Sequence, residues 1–150
     1  MKKITEELEF ILEKYKPLFK TISDDQWPIK PLPNKWSKKE ELGHLIDSAQ
    51  SNVRRFIVGQ YEELPYIVYA QDKWVAISNY QNYPVADLID LWYLINKHIC
   101  IVLKNTSEEN AANLVRTQEI HSIEWLAADY NKHLLHHLHH ILDLQPVAYP

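Results

Sequence analysis

Residues 129–144 read DYNKHLLHHLHHILDL and contain five of the chain's eight histidines. At about 100° per residue, an α-helix running through this stretch has one apolar stripe. The stripe comprises Ile123, Ala127, Tyr130, Leu134, Ile141 and Leu144. His133 and His137 lie within the stripe or at its edge, one helical turn apart, so their imidazoles can reach a common metal ion. Imidazole is the commonest metal ligand in proteins and suits zinc, nickel, copper and iron.

The histidine pair also has a simpler interpretation, because an i, i+4 pair arises by chance in a tract this rich in histidine. These side chains would then be partly buried or exposed histidines without a ligand. On the same helical wheel, His139 points about 180° from Tyr130 and His136 about 120°, so both are expected in solvent. His140 lies about 60° from His137 and is either a rival ligand or a supporting neighbour. A third ligand has to come from elsewhere in the chain.

The composition of the chain predicts a single folded domain spanning residues 1–150. Of its 150 residues, 46% are hydrophobic, which is enough for a core. Only two glycines occur, which argues against a β-protein with many tight turns. The single cysteine excludes an internal disulfide and suits a reducing cytosol. The opening MKKITEELEF lacks the apolar segment of a signal peptide, so we expect a cytoplasmic protein.

Charge and hydropathy argue against two classes of partner. The sequence has no run of about 18 apolar residues, so no membrane span is expected. The net charge is −4 and there is no basic patch. Because nucleic-acid binding depends mainly on neutralising phosphates, a nucleic-acid partner is not expected either.

Four long amphipathic segments predict an all-α four-helix bundle with almost no strand. The first segment covers about five turns, the second begins with a capping box at Ser37 and Glu40, the third begins near Pro84, and Ser122 caps the fourth. The apolar faces of the first three are Ile4, Leu8, Ile11, Tyr15, Leu18 and Ile22; Leu42, Ile46, Ala49, Val53, Phe56 and Ile57; and Val85, Leu88, Trp92, Ile95, Ile99 and Val102. Long connections follow the second and third helices.

The connection after the second helix is expected to have structure of its own. Within it, residues 71–79 predict a short helix with Trp74 and Ile77 facing inward. A long connection of this kind is a common place for a pocket lid, and it can equally pack across the end of the bundle. Residues 105–119 show no clear period and predict a loop, with room for one helical turn.

His44 does not belong to the apolar face of the second helix. On the helical wheel it groups with Glu41, Asp47, Ser48, Ser51 and Arg55. Periodicity alone predicts an exposed histidine. The alternative is that this polar line faces an internal, water-lined pocket.

Three blocks of the sequence carry a family resemblance. They are KWSKKEELGHLIDS at 35–48, NYPVADLIDLWYLIN at 82–96 and SIEWLAADYNKHLLHHLHHILDL at 122–144. The last block is the most specific, with an acidic helix start followed by a tyrosine, an HxxxH pair, a leucine and HHI. In this order the blocks resemble the DinB-like superfamily of four-helix metalloproteins.

The resemblance implies one divalent metal ion, zinc or nickel, bound by His44, His133 and His137. Three neutral imidazoles leave coordination positions open, as in catalytic rather than structural metal sites. His139 and His140 stand where most relatives have polar residues such as glutamine. The resemblance therefore leaves open whether His140 joins or replaces a ligand.

Relatives in this superfamily include S-transferases and isomerases that use low-molecular-weight thiols, as well as proteins described as metal-dependent hydrolases. The first interpretation is therefore an enzyme whose metal binds a small thiol as the thiolate, which attacks an electrophilic small molecule. Arg54, Arg55 and Lys73 are the cations available for the carboxylates of such a thiol. A hydrolase would use the same metal on water and need a base. Asp47 could be that base or could orient a ligand imidazole.

The second interpretation is a homodimeric bundle that binds metal without turnover or binds none. Four leucines lie outside the main apolar stripes of the third and fourth helices, and such extra apolar positions suit a helix-on-helix dimer face. They are Leu91, Leu94, Leu135 and Leu142.

Overall fold

The computed structural model describes residues 1–149 of the chain. Its helices are α1 (Lys2–Tyr15), α2 (Lys38–Val58), α3 (Gln71–Ser78), α4 (Val85–Asn105), α5 (Glu108–Ala111) and α6 (Ile123–Ile141). Two 3-10 segments, Lys16–Thr21 and Tyr80–Asn82, and an antiparallel hairpin of β1 (Leu114–Arg116) and β2 (Ile120–Ser122) complete it. Because α1, α2, α4 and α6 form the bundle, the predicted all-α four-helix architecture is confirmed.

The helix starts follow the capping signals in the sequence. The hydroxyl of Ser37 accepts a hydrogen bond from the Glu40 amide at 3.2 Å, and the Glu40 carboxylate accepts one from the Ser37 amide at 2.8 Å. The hydroxyl of Ser122 accepts from the Trp125 amide at 3.1 Å. Pro84 lies directly before α4. These caps fix where α2 and α6 begin, and therefore which of their residues face each other.

The first helix is shorter than its apolar period predicts. The α-helix ends at Tyr15, and the chain continues as the tighter 3-10 helix to Thr21. Pro17 explains the change, because proline has no amide to donate to the preceding turn. The tighter winding buries Phe19 and leaves Leu18 only half-buried.

Helix α2 is the central element of the core, because it packs against α3, α4 and α6. Its predicted apolar face is buried apart from Val53, which is half-buried, and Ile57, which is exposed near the end of the helix.

The connector before α2 is anchored to the core as well. Trp27 is fully buried, and Phe19 packs against it with ring centroids 5.8 Å apart.

The prediction for α3 is right in position and wrong in orientation. Val75 faces the core, whereas Trp74 is 37% and Ile77 81% exposed. Only two turns of helix form here, and the ring of Trp74 packs against Tyr69 outside the core at 5.2 Å. A periodicity over so few residues does not determine which face is buried.

Residues 105–119, predicted as a loop with room for one turn, contain the single-turn helix α5 and also strand β1, which was not predicted. Val115 in β1 is fully buried, and Arg116 exchanges backbone hydrogen bonds with the segment at Pro65 and Ile67. These contacts between distant parts of the chain stabilise strands too short for a visible sequence period. Across residues 1–149, no helix combines the length and apolar character needed to cross a membrane.

Candidate metal centre

Three histidines converge between α2 and α6. His44 comes from α2, and His133 and His137 lie one turn apart on α6. One ligating nitrogen from each can be chosen so that all three lie within 4.8 Å of one another. The Nε2 atoms of His44 and His133 are 3.2 Å apart. The structure therefore brings together the three residues that the sequence resemblance singled out.

The polar line of α2 is internal. His44 is only 1% exposed, and Glu41 and Asp47 are buried beside it. Periodicity alone predicted an exposed histidine, and that expectation is wrong because α2 is covered on both its apolar and its polar side. Trp36, in the connector before α2, covers the imidazole of His44 with ring centroids 4.8 Å apart.

Glu41 holds two imidazoles of α6 at once. One carboxylate oxygen lies 2.8 Å from Nδ1 of His137 and the other lies 2.6 Å from Nδ1 of His140. Although burial acts to raise it, the pKa of Glu41 is lowered by these two hydrogen bonds. An ionised carboxylate accepts a hydrogen bond from Nδ1 of His137, which leaves Nε2 of that ring as the nitrogen that can bind a metal.

His140 belongs with Glu41 rather than with the three converging imidazoles. Its side chain is 71% exposed and touches the carboxylate from the outer side. The sequence left open whether His140 rivals or supports a ligand, and its position is that of a supporting neighbour.

Burial keeps two of the three imidazoles uncharged. It lowers the pKa of His44 to about 4 and that of His133 to about 2, with a smaller contribution from the neighbouring His137. Neutral imidazole is the form that binds metal. The Nδ1 atoms of His44 and His133 are buried and have no hydrogen-bond partner among residues 1–149. Nitrogen ligands with no competing cysteine are a donor set that fits zinc or nickel.

Asp47 is not positioned to orient a ligand imidazole, which was one of its predicted roles. Its Oδ1 accepts a hydrogen bond from the Tyr80 hydroxyl at 2.5 Å, and its Oδ2 is buried without a partner among the described residues. Burial raises the pKa of Asp47 to about 6, although the Tyr80 bond opposes the shift. The orienting role falls to Glu41, which the sequence placed on the same polar line, one turn before His44.

The histidines expected in solvent are half-buried, so that expectation is wrong for both. Nδ1 of His136 lies 2.8 Å from the Val147 carbonyl, and Nδ1 of His139 lies 2.6 Å from the Gln145 carbonyl. The cause is a chain reversal at Asp143, whose φ is 54°, which folds the following segment back over α6. This reversal also removes Leu144 from the predicted apolar stripe.

Two cavities are lined by one of the three histidines or by residues that contact them. One, of about 260 Å³, is lined by Trp36, Lys38, Glu41 and His140, among others. The other, of about 130 Å³, is bounded by His133 itself and by polar side chains of α2 and α6. A small molecule in the second cavity would contact one of the converging imidazoles directly.

Known proteins share this architecture. Residues 7–141 match the sequence profile of the DinB superfamily. YfiT from Bacillus subtilis, described as a probable metal-dependent hydrolase with an unusual four-helix bundle topology, is 21% identical with a TM-score of 0.85, covering 95% of this chain and 83% of YfiT. No curated protein matches the chain.

Two further solved structures share the fold at lower identity. A mycothiol-dependent maleylpyruvate isomerase is 16% identical with a TM-score of 0.73, and the alignment covers 99% of this chain but only 64% of the isomerase. A DinB-like protein from Bacillus subtilis, YjoA, is 17% identical with a TM-score of 0.66 over 98% of this chain and 97% of YjoA. With the profile match over most of its length, this chain belongs to the DinB superfamily.

Proposed function

We propose that this protein is a metal-dependent enzyme that transfers a low-molecular-weight thiol to an electrophilic small molecule. A divalent ion, zinc or nickel, is held by His44, His133 and His137. The observation that carries the proposal is the convergence of these imidazoles in a buried site, with the Nε2 atoms of His44 and His133 facing each other.

The protein's own residues prepare this site for an ion. Glu41 accepts a hydrogen bond from Nδ1 of His137 and fixes the orientation of that ring. Trp36 packs on His44 and shields it from water. When bound, an ion with three imidazole ligands keeps open positions and lowers the pKa of a thiol or water that occupies them.

Thiol transfer is favoured over hydrolysis by the hydrogen bonds of the two nearby carboxylates. Hydrolysis needs a base that takes a proton from the attacking water. Both oxygens of Glu41 are occupied by imidazoles, and one oxygen of Asp47 is occupied by Tyr80. A thiol has a much lower pKa than water before it binds, about 8.5 against about 15.7, so a thiol at the ion can lose its proton to solvent without such a base. The thiol dependence of the similar maleylpyruvate isomerase is consistent with this choice.

Metal-dependent hydrolysis is the second candidate, and Asp47 supports it. Its free oxygen and a pKa of about 6 suit a proton acceptor near neutral pH. The similar YfiT is described as a probable hydrolase. Asp47→Asn separates the candidates, because it should abolish hydrolysis and leave thiol transfer within a few-fold of the unmodified protein.

The decisive experiment is an assay of metal-loaded and metal-free protein against a panel of thiols with a chromogenic electrophile. We expect turnover that requires both the ion and a thiol, is lost in His44→Ala and persists in the control His136→Ala. Ester hydrolysis without thiol dependence would replace the proposal with the second candidate. Substoichiometric metal that His44→Ala leaves unchanged would favour a non-catalytic bundle.

We also propose a homodimer, formed through α4. Leu91 and Leu94 are 38% and 63% exposed on this helix. Leu135 and Leu142, also considered for the dimer face, pack instead against the protein's own core. The remaining exposed leucines lie three residues apart on one helical face, as a helix-on-helix interface requires.

A further inference from the structure

The cavity beside His133 contains two opposite charges. Its lining includes Arg55 from α2 and Asp129 from α6, together with Tyr69 and Tyr149. The two charged side chains do not form an ion pair with each other, although they border the same space. A cavity of about 130 Å³ with a cation and an anion on its wall suits a small ligand that carries both charges.

Arg55 has only neutral partners in the described part of the chain. Its Nε and Nη2 donate to the Ile67 carbonyl at 3.2 Å each, and its Nη1 donates to Asn52 Oδ1 at 3.3 Å. Three of the five N–H groups of the guanidinium are thereby used. A half-buried guanidinium without a carboxylate partner is costly, and an anionic ligand would offset that cost.

The other candidate cations are unsuited to this role. Arg54 and Lys73 are exposed. Lys38, which lines the other cavity, is already paired with Asp143 at 2.9 Å. Arg55 is therefore the cation that a ligand touching His133 would meet.

Asp129 supplies the matching negative charge. One of its oxygens accepts a hydrogen bond from the Tyr149 hydroxyl at 2.8 Å, and the ring of Tyr149 lies 5.3 Å from that of His133. A carboxylate accepts several hydrogen bonds, so Asp129 can also bind an ammonium group in the cavity.

We propose that Arg55 and Asp129 form a subsite for the zwitterionic, amino-acid-like end of the thiol, with its carboxylate on Arg55 and its ammonium on Asp129. This inference rests on the proposed function and adds the class of thiol to it. The thiol sulfur would lie toward His133 while the two charges fix the orientation of the molecule.

The test uses cobalt-loaded protein, in which thiolate binding gives a charge-transfer absorption band. Two pairs of probes each differ by one charge: 3-mercaptopropionate against 3-mercapto-1-propanol, and cysteamine against 2-mercaptoethanol. The measured quantity is the ratio of dissociation constants within a pair. Intrinsic differences between the thiols cancel when the same ratio is compared between protein variants.

We expect Arg55→Gln to lower the preference for 3-mercaptopropionate over its neutral counterpart by about tenfold, the scale of one hydrogen-bonded charge pair. Asp129→Asn should lower the preference for cysteamine by about three- to tenfold and leave the carboxylate preference unchanged. Arg54→Gln is the matched control, because it removes the same charge at an exposed neighbouring position.

Arg55 also holds the Ile67 carbonyl, so Arg55→Lys is the second variant in case Arg55→Gln does not fold. Lysine keeps the positive charge but cannot make the two parallel hydrogen bonds of a guanidinium. The preference of Arg55→Lys for 3-mercaptopropionate should therefore fall between those of the unmodified protein and Arg55→Gln. If thiolate bands form but the ratio of dissociation constants within each probe pair is the same in every variant, the inference is overturned and the proposed function stays intact. Failure to bind cobalt, or bound cobalt that gives no thiolate band, would overturn both.

Discussion

The Nε2 atoms of His44 and His133 lie 3.2 Å apart, although 89 positions separate the two residues in the chain. Both rings are uncharged near neutral pH, because burial lowers the pKa of each. At this distance one neutral ring can donate its Nε2 proton to Nε2 of the other ring, and an ion bound by both nitrogens would replace that hydrogen bond with two metal–ligand bonds.

The first prediction concerns the three converging histidines. Alanine at His44, His133 or His137 should weaken binding of zinc or nickel by more than about 100-fold, because losing a ligand costs more than losing an outer partner of a ligand, which costs about 10- to 100-fold. Isothermal titration of protein purified without a histidine tag measures the effect. In the unmodified protein, metal at a hundredfold excess over its dissociation constant should stabilise the fold by about 2.7 kcal/mol.

The controls for this prediction lie on the same helix. His136 and His139 bond to the carbonyls of Val147 and Gln145, so alanine at either should leave metal affinity nearly unchanged. His140→Ala tests the choice of ligands. If it abolishes binding while His133→Ala does not, the ligand set proposed here is wrong.

The second prediction concerns Glu41. Glu41→Gln should lower metal affinity by about 10- to 100-fold, because an amide holds the imidazole of His137 less strongly than a carboxylate does. His140→Ala removes the second imidazole from the same carboxylate and should have a smaller effect. Equal affinities in Glu41→Gln and the unmodified protein would mean that Glu41 does not orient a ligand.

The long helices and the histidine pair could be read from the sequence, because their periods run over many turns. The burial of His44 could not, since a helical wheel shows which residues share a face but not that the polar side of α2 is covered as well as its apolar side. The role of Glu41 was missed for a related reason. Its partners His137 and His140 lie on another helix, 96 and 99 positions further along the chain. A local sequence pattern cannot predict a contact over that separation.

The shorter elements were harder to predict. The orientation of α3 and the hairpin after α5 depend on contacts between segments distant in the chain, such as the backbone pairing of Arg116 with Pro65 and Ile67. The half-burial of His136 and His139 depends on the turn at Asp143, which a helical period cannot anticipate.

The third prediction concerns the pH dependence of stability in metal-free protein. His44 and His133 have folded-state pKa values of about 4 and about 2, below the unfolded value of 6.5. Between these values the unfolded chain binds more protons, so the free energy of unfolding decreases as pH falls. From about pH 6.5 to about pH 5 the two residues together should remove about 3 kcal/mol. Asp47, whose folded-state pKa is raised to about 6, binds a proton in the folded protein over this range and should restore about 1 kcal/mol, so the net loss should be about 2 kcal/mol.

Urea unfolding at several pH values measures this loss. His133→Gln should reduce the loss of stability between about pH 6.5 and about pH 5 by about 1.5 kcal/mol, because one of the two suppressed protonations is removed. An unchanged dependence in that variant would show that the loss of stability comes from other groups.

The fourth prediction concerns assembly. Light scattering at micromolar concentration should give about twice the 17.8 kDa of one chain. Replacing both Leu91 and Leu94 by glutamate should give the single-chain mass, because it places charges on the proposed interface. Leu114→Glu, at an exposed position on the hairpin, is the control and should remain dimeric. A single-chain mass for the unmodified protein would contradict the dimer.

The last prediction concerns Gly43, which lies directly before His44. A Cβ at this position would overlap the ring of Tyr80, and that ring cannot withdraw without losing its buried hydrogen bond to Asp47. Gly43→Ala should therefore destabilise the protein by about 1–3 kcal/mol through overpacking, although alanine is by itself the better helix former by about 0.5–1 kcal/mol. In a Tyr80→Ala background the same substitution should become neutral or stabilising, because the obstructing ring is gone. Chemical unfolding of the four proteins in this double-mutant cycle measures the coupling between the two positions. A stabilising Gly43→Ala in the presence of Tyr80 would show that α2 needs no glycine for the close approach of the Tyr80 ring.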